Sequence, residues 1–140
     1  MRRATMVVAS PVPSDRNDVL EGVRVMIPAL KERAERTEEL RHLHPDTIAE
    51  LKANRLMRVL QPARWGSGEV DYAAAIEMLM ELARGCASTA WCAFNYASHN
   101  WMLGMFAPQA QEAVWGKDPT RFLSASLVFP AGRAERAPGG

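Results

Sequence analysis

The sequence predicts a mainly α chain: a bundle of five helices followed by one β-strand. Three observations carry that expectation. Apolar residues recur at helical spacing through most of the chain. Proline, aspartate, serine and glycine stand where helices should start and stop. A short apolar run near the end, residues 122–129, has the length and composition of a strand.

The first helix is expected to start at Ser14 or Asp15, either of which can cap it, and to run to about Leu40. Leu20, Val23, Ile27, Leu30 and Ala34 lie on one stripe. Pro28 interrupts that stripe, removes one intrahelical hydrogen bond and should kink or divide the helix. The charges between Lys31 and Glu39 read as a solvated face with i,i+4 pairs.

Pro45 and Asp46 open a second helix, with Ile48, Leu51 and Leu56 inward. Asn54 is expected to stop it in the left-handed conformation. The run from Leu56 to Leu60 is a buried connector, and residues 61–70 are a loop punctuated by Pro62, Gly66 and Gly68. Asp71 caps a third helix that Gly85 ends. Its apolar face is Ala75, Leu79, Leu82 and Ala83, with Ile76 and Met80 beside it. So few polar residues remain that this helix is expected to be buried on most sides. Ser88 is expected to cap a fourth helix reaching about Phe106, and Pro108 opens a short fifth ending near Trp115. A lone strand leaves its ladder hydrogen bonds unpaired. The chain is therefore expected to be a truncated piece whose sheet continues beyond Gly140, or to pair its strand with another molecule.

Composition excludes several classes. The 140 residues are 48% hydrophobic and 24% charged, ordinary for a globular domain. Seventeen basic and sixteen acidic residues give +1, which argues against nucleic acid as a partner. No apolar run approaches the length that crosses a bilayer. The weakly apolar start, halted by Pro11 and Pro13, is expected to be a disordered leader over residues 1–16 of a cytoplasmic protein. Cys86 and Cys92 fit neither a disulfide framework nor a zinc pattern and read as small apolar core residues. His42 and His44 face different directions on a helix, so no metal is expected. There is no phosphate-cradling glycine loop, zinc-protease helix or nucleophile elbow.

Three segments, in order, carry a resemblance. Residues 51–66 read LKANRLMRVLQPARWG, residues 81–91 read ELARGCASTAW, and residues 124–134 read SASLVFPAGRA before the closing Gly139-Gly140. The helices-then-strand order and these segments resemble the acyl-CoA dehydrogenase superfamily. The nearest branch is the oxygenase components of two-component (group D) flavin-dependent hydroxylases. Asn54 stands where that family often has a small or acidic residue, and Trp65 replaces its usual tyrosine. The resemblance implies a division into an N-terminal helical domain, residues 17–118, and the start of a middle β-domain, residues 119–140. It implies reduced FMN or FAD supplied by a separate flavin reductase, and oxygen activated as a flavin hydroperoxide. It also implies an aromatic or polycyclic substrate, and a homotetramer at full length.

It also points to site residues. His99, eight residues after Trp91, would face the substrate side of the flavin and hold a phenol or donate a proton; otherwise it is a hydrogen-bonded interface histidine. Trp91 would shape the aromatic pocket or fill core, and Asn95 lies between the two. Ser124 and Ser126 alternate on one side of the strand and would meet the flavin edge; Gly132 would act through its backbone. Two further classes stay open: an acyl-CoA dehydrogenase with its catalytic carboxylate beyond Gly140, and a non-catalytic helical module. Residues 1–140 alone are expected to be inactive, since most walls of the cofactor cavity would lie elsewhere.

Overall fold

The structure, a computed structural model, describes residues 12–125 and 135–138. Among them are six α-helices: α1 (Arg16–Arg24), α2 (Ile27–Leu40), α3 (Pro45–Ala53), α4 (Tyr72–Ala83), α5 (Ala87–Gly104) and α6 (Pro108–Trp115). Short 3-10 turns lie at Leu56–Arg58 and Ala63–Trp65.

The expected first helix is divided near Pro28. α1 ends at Arg24, and Pro28 falls in the first turn of α2, where a missing N–H costs nothing. Asp15 caps α1, its carboxylate accepting from the Asn17 and Asp18 amides at 2.7 and 3.0 Å. Ser14 answers by donating through its amide and hydroxyl to Asp18 at 3.0 and 2.9 Å. Those bonds hold the Asp18 carboxyl below its usual range.

α3 stops at Asn54, but Asn54 is not left-handed. Its φ is −83°, and Arg55, one residue on, takes φ 56°. The extra residue lets Leu56, Met57 and Arg58 turn into the core. α4 is capped by Asp71, which accepts from the Ala74 amide at 3.0 Å. Asp71→Ala is expected to cost about 1 kcal/mol, measured by urea denaturation with an unchanged slope. The cap of α5 falls two residues earlier than expected, at an extended Cys86 with no side-chain cap. Ser88 lies inside that helix and donates its hydroxyl to Glu38 of α2 instead.

The core is one cluster. α1 contributes Val19 and Val23, α2 Leu30, α3 Leu51, α4 Met78 and Leu82, and α5 Ala93 and Ala97. Each fully buried Leu, Val or Met contributes about 1.5–3 kcal/mol. Small residues set the approach of helices. A Cβ on Gly85 would stand 2.8 Å from Leu30 Cβ, so glycine there lets α2 come against the start of α5. A bidentate Arg33–Glu50 pair, 2.9 and 2.8 Å, ties α2 to α3 and raises the Arg33 guanidinium above its ordinary value.

α4 is not buried on most sides. Ala74, Ala75, Met78 and Leu82 pack inward, while Ala83 is exposed and Met80 is 67% exposed. Its main contacts are with α1 and α5, and these cover one face. Residues 121–125 carry no strand and no helix. The rest of the expected strand, 126–129, lies outside the described residues. Cys86 is buried and Cys92 partly so; both are free thiols, and burial pushes the Cys92 thiol up. No described helix is long and apolar enough to cross a membrane.

Candidate functional site

The expected site residues on α5 form a drifting stripe. Successive steps of four residues turn by about 40° around a helix, so Trp91, Asn95 and His99 share a broad face that rotates along the axis. The burial follows that rotation. Trp91 is 68% exposed, Asn95 is intermediate and His99 is 8% exposed. Trp91 therefore does not fill the core; its ring pairs with Phe94 at 5.9 Å between centroids. Asn95 donates from Nδ2 to the Trp91 carbonyl at 2.9 Å.

His99 Nδ1 is buried and has no hydrogen-bond partner among the described residues. A buried polar atom left unpaired costs about 1–3 kcal/mol. Such an atom suits a ligand hydroxyl that arrives later. Thr89 Oγ1 and Asn100 Oδ1 on the same helix are likewise unpartnered. Asn100 Nδ2 is used, donating to the Tyr96 and Met57 carbonyls at 2.8 and 3.1 Å and tying α5 to the 3-10 turn.

The segment that carries Ser124 is brought to α5 by a chain of contacts. Pro119 O accepts from Arg58 Nη1 at 2.5 Å and from Gln61 Nε2 at 2.9 Å. Asp118 Oδ1 accepts from the Thr120 amide and hydroxyl at 2.9 and 2.6 Å, which closes a turn and lowers the Asp118 carboxyl. Phe122 then packs against Tyr96, centroids 5.4 Å apart, and Tyr96 lies one helical turn before His99. Ser124, two residues beyond Phe122, is exposed. Ser126 and Gly132 lie outside the described residues.

Sequence reasoning missed the polar clamps. Arg58 is 6% exposed within an apolar run, and burial lowers its guanidinium. Gln111 is 4% exposed and fully used: it accepts from Arg64 Nη2 and Trp65 Nε1 at 2.6 and 3.1 Å, and donates to the Gly104 and Phe106 carbonyls at 2.8 Å each. The local sign of Arg58 was a charged residue within an apolar run, while Gln111, between Ala110 and Glu112, carried none. His44 serves as the α3 cap, accepting from the Asp46 amide at 3.2 Å. No cluster of three or more metal-binding side chains occurs among the described residues.

Comparison with known proteins agrees with this architecture. The sequence profile described as acyl-CoA dehydrogenase, N-terminal domain, matches residues 17–119. The oxygenase subunit HsaA, a flavin-dependent monooxygenase from Rhodococcus jostii (strain RHA1), is 35% identical over 121 residues, 86% of this chain and 31% of that protein. The oxygenase component of the FADH(2)-dependent resorcinol hydroxylase of Rhizobium sp. (strain MTP-10005) is 36% identical over 107 residues, 76% of this chain and 26% of that protein. The crystal structure of the HsaA monooxygenase from M. tuberculosis superposes with a TM-score of 0.73 at 37% identity, covering 77% of this chain and 30% of the other. The chain thus spans less than a third of the length of these relatives.

Proposed function

The chain belongs to the acyl-CoA dehydrogenase family through its N-terminal domain, and from that premise we propose that it serves the oxygenase component of a two-component flavin-dependent monooxygenase. The activity is that of a protein of the relatives' full length containing this chain. One atom of O2 enters an aromatic, phenolic or polycyclic substrate; the other leaves as water. Reduced FMN or FAD, delivered by a separate flavin reductase, supplies the two electrons. A homotetramer in the cytoplasm is the assembly and location proposed, with residues 17–118 as the helical domain and 119–140 opening the β-domain.

The observation that carries the proposal is the 35% identity to a flavin-dependent oxygenase subunit over 86% of the chain. Within that reading this chain's residues take the following parts. His99 offers its unpartnered Nδ1 to the substrate hydroxyl. Trp91 and Asn95 wall the aromatic pocket. Ser124, Ser126 and Gly132 are the residues assigned to the flavin edge, with Phe122, two residues before Ser124, packed on Tyr96 of α5. An orphaned imidazole nitrogen at His99 can pair a hydroxyl of the bound substrate.

Full-length protein, chemically reduced flavin and 18O2 test the proposal against a panel of phenols. The expected product is a hydroxylated phenol carrying one labelled atom. Desaturation of an acyl thioester with no oxygen incorporated would instead make it a dehydrogenase. The 140-residue chain by itself is expected to turn over neither.

A further inference from the structure

A half-open cavity of about 520 Å3 lies between the end of α3, the Leu56–Arg58 turn and the segment around Thr120. Its lining includes four cations, Lys52, Arg55, Arg58 and Arg121, and one carboxylate, Asp118. None of the four cations is in an ion pair among the described residues. Arg58 donates to the neutral carbonyls of Pro119 and Gly66, and Arg55, among the described residues, reaches Gly66 O at 3.4 Å. Asp118 is engaged by Thr120 and offsets one charge of the four. At the end of α3, Glu50 O and Lys52 O accept from the Asn54 and Arg55 amides at 3.0 Å each.

The floor is apolar, formed by Leu51, Met57 and Phe122. Lys52 Nζ stands 5.0 Å above the centre of the Phe122 ring, so a cation and an aromatic ring adjoin in the cavity lining. Burial and the neighbouring Arg55 both lower the Arg58 guanidinium, the mark of positive charge without full compensation.

We infer that this cavity binds an organic phosphate, the phosphoryl oxygens between Lys52, Arg55 and Arg121 and the apolar or aromatic body on Leu51, Met57 and Phe122. A phosphate group matches the surplus charge and takes guanidinium hydrogen bonds in pairs. A bare anion would leave most of the volume and the Phe122 ring unused. The inference stands on the cavity alone and does not need the proposed oxygenase activity.

The test titrates the 15N-labelled 140-residue chain with FMN, riboflavin, AMP, adenosine and inorganic pyrophosphate in separate arms. Saturable shifts confined to residues around Lys52, Arg55, Thr120 and Phe122 are expected for FMN or AMP, and binding about tenfold weaker or worse for the matching nucleoside. Which of the two binds more tightly identifies the source of the phosphate. Arg55→Gln and Arg121→Gln, both folded by circular dichroism, should each weaken binding by about tenfold. Arg36→Gln, on the far charged face of α2, should leave it unchanged. Equal binding of phosphorylated and unphosphorylated ligands, shifts scattered over the surface, indifference to both arginine variants, or tighter binding of pyrophosphate than of FMN and AMP would each overturn the inference.

Discussion

Replacing His99 by alanine in a protein of the relatives' full length is expected to lower kcat/KM for aromatic hydroxylation by about 100-fold or more, with flavin affinity unchanged. The residue is 8% exposed, its Nδ1 has no partner among the described residues, and it sits one turn past the Tyr96 ring that holds Phe122. A histidine kept only for packing would give another pattern. His99→Phe would then restore stability and leave the rate near normal. Here His99→Asn, which keeps a hydrogen-bonding group, should recover part of the rate, while His99→Phe should recover stability alone. Steady-state kinetics with denaturation of each variant separates the two.

Trp115→Ala is expected to be the most destabilising single change in the helical unit, at about 3–5 kcal/mol. Trp115 is fully buried at the end of α6 and packs on Trp65, centroids 5.8 Å apart. Its loss opens a cavity beneath the Ala63–Trp65 turn and loosens the Gln111 clamp beside it. The indole Nε1 has no partner among the described residues, so it contributes volume rather than a hydrogen bond there. Trp115→Phe should therefore cost far less, about 1–2 kcal/mol. Thermal unfolding reads the difference directly: a fall of about 10 °C or more in Tm for alanine and a few degrees for phenylalanine. Similar losses for both would mean that the indole N–H matters after all.

What could be read from the sequence was local. Asp15 and Asp71 were legible as caps because a cap needs only the next three residues. Pro28 was legible as a division because its ring acts on its own helix. Ser88 misled because serine suits both a cap and an early helical position, and its partner, Glu38, is fifty residues away in sequence. Asn54 misled by one residue, because the left-handed turn that lets Leu56 reach the core falls on Arg55. Exposure at Ile76, Met80 and Trp91 was illegible, since hydrophobicity fixes a preference for burial and the neighbouring elements decide whether it is met. The clamps on Pro119 were the least accessible, joining Arg58 and Gln61 to a carbonyl 61 and 58 residues away. Of the site, the α5 residues could be named from the resemblance, but the gradient of burial along them could not.

We propose that α5 receives an aromatic hydroxyl at His99, the buried end of its Trp91–His99 stripe. A crystal structure of the full-length protein with flavin and a phenol tests it most directly. The phenol oxygen should lie about 2.6–3.2 Å from His99 Nδ1, with its ring against the Trp91–Asn95 stripe. A phenol bound elsewhere, or a His99 ring paired with a protein carbonyl while the phenol is present, would contradict it.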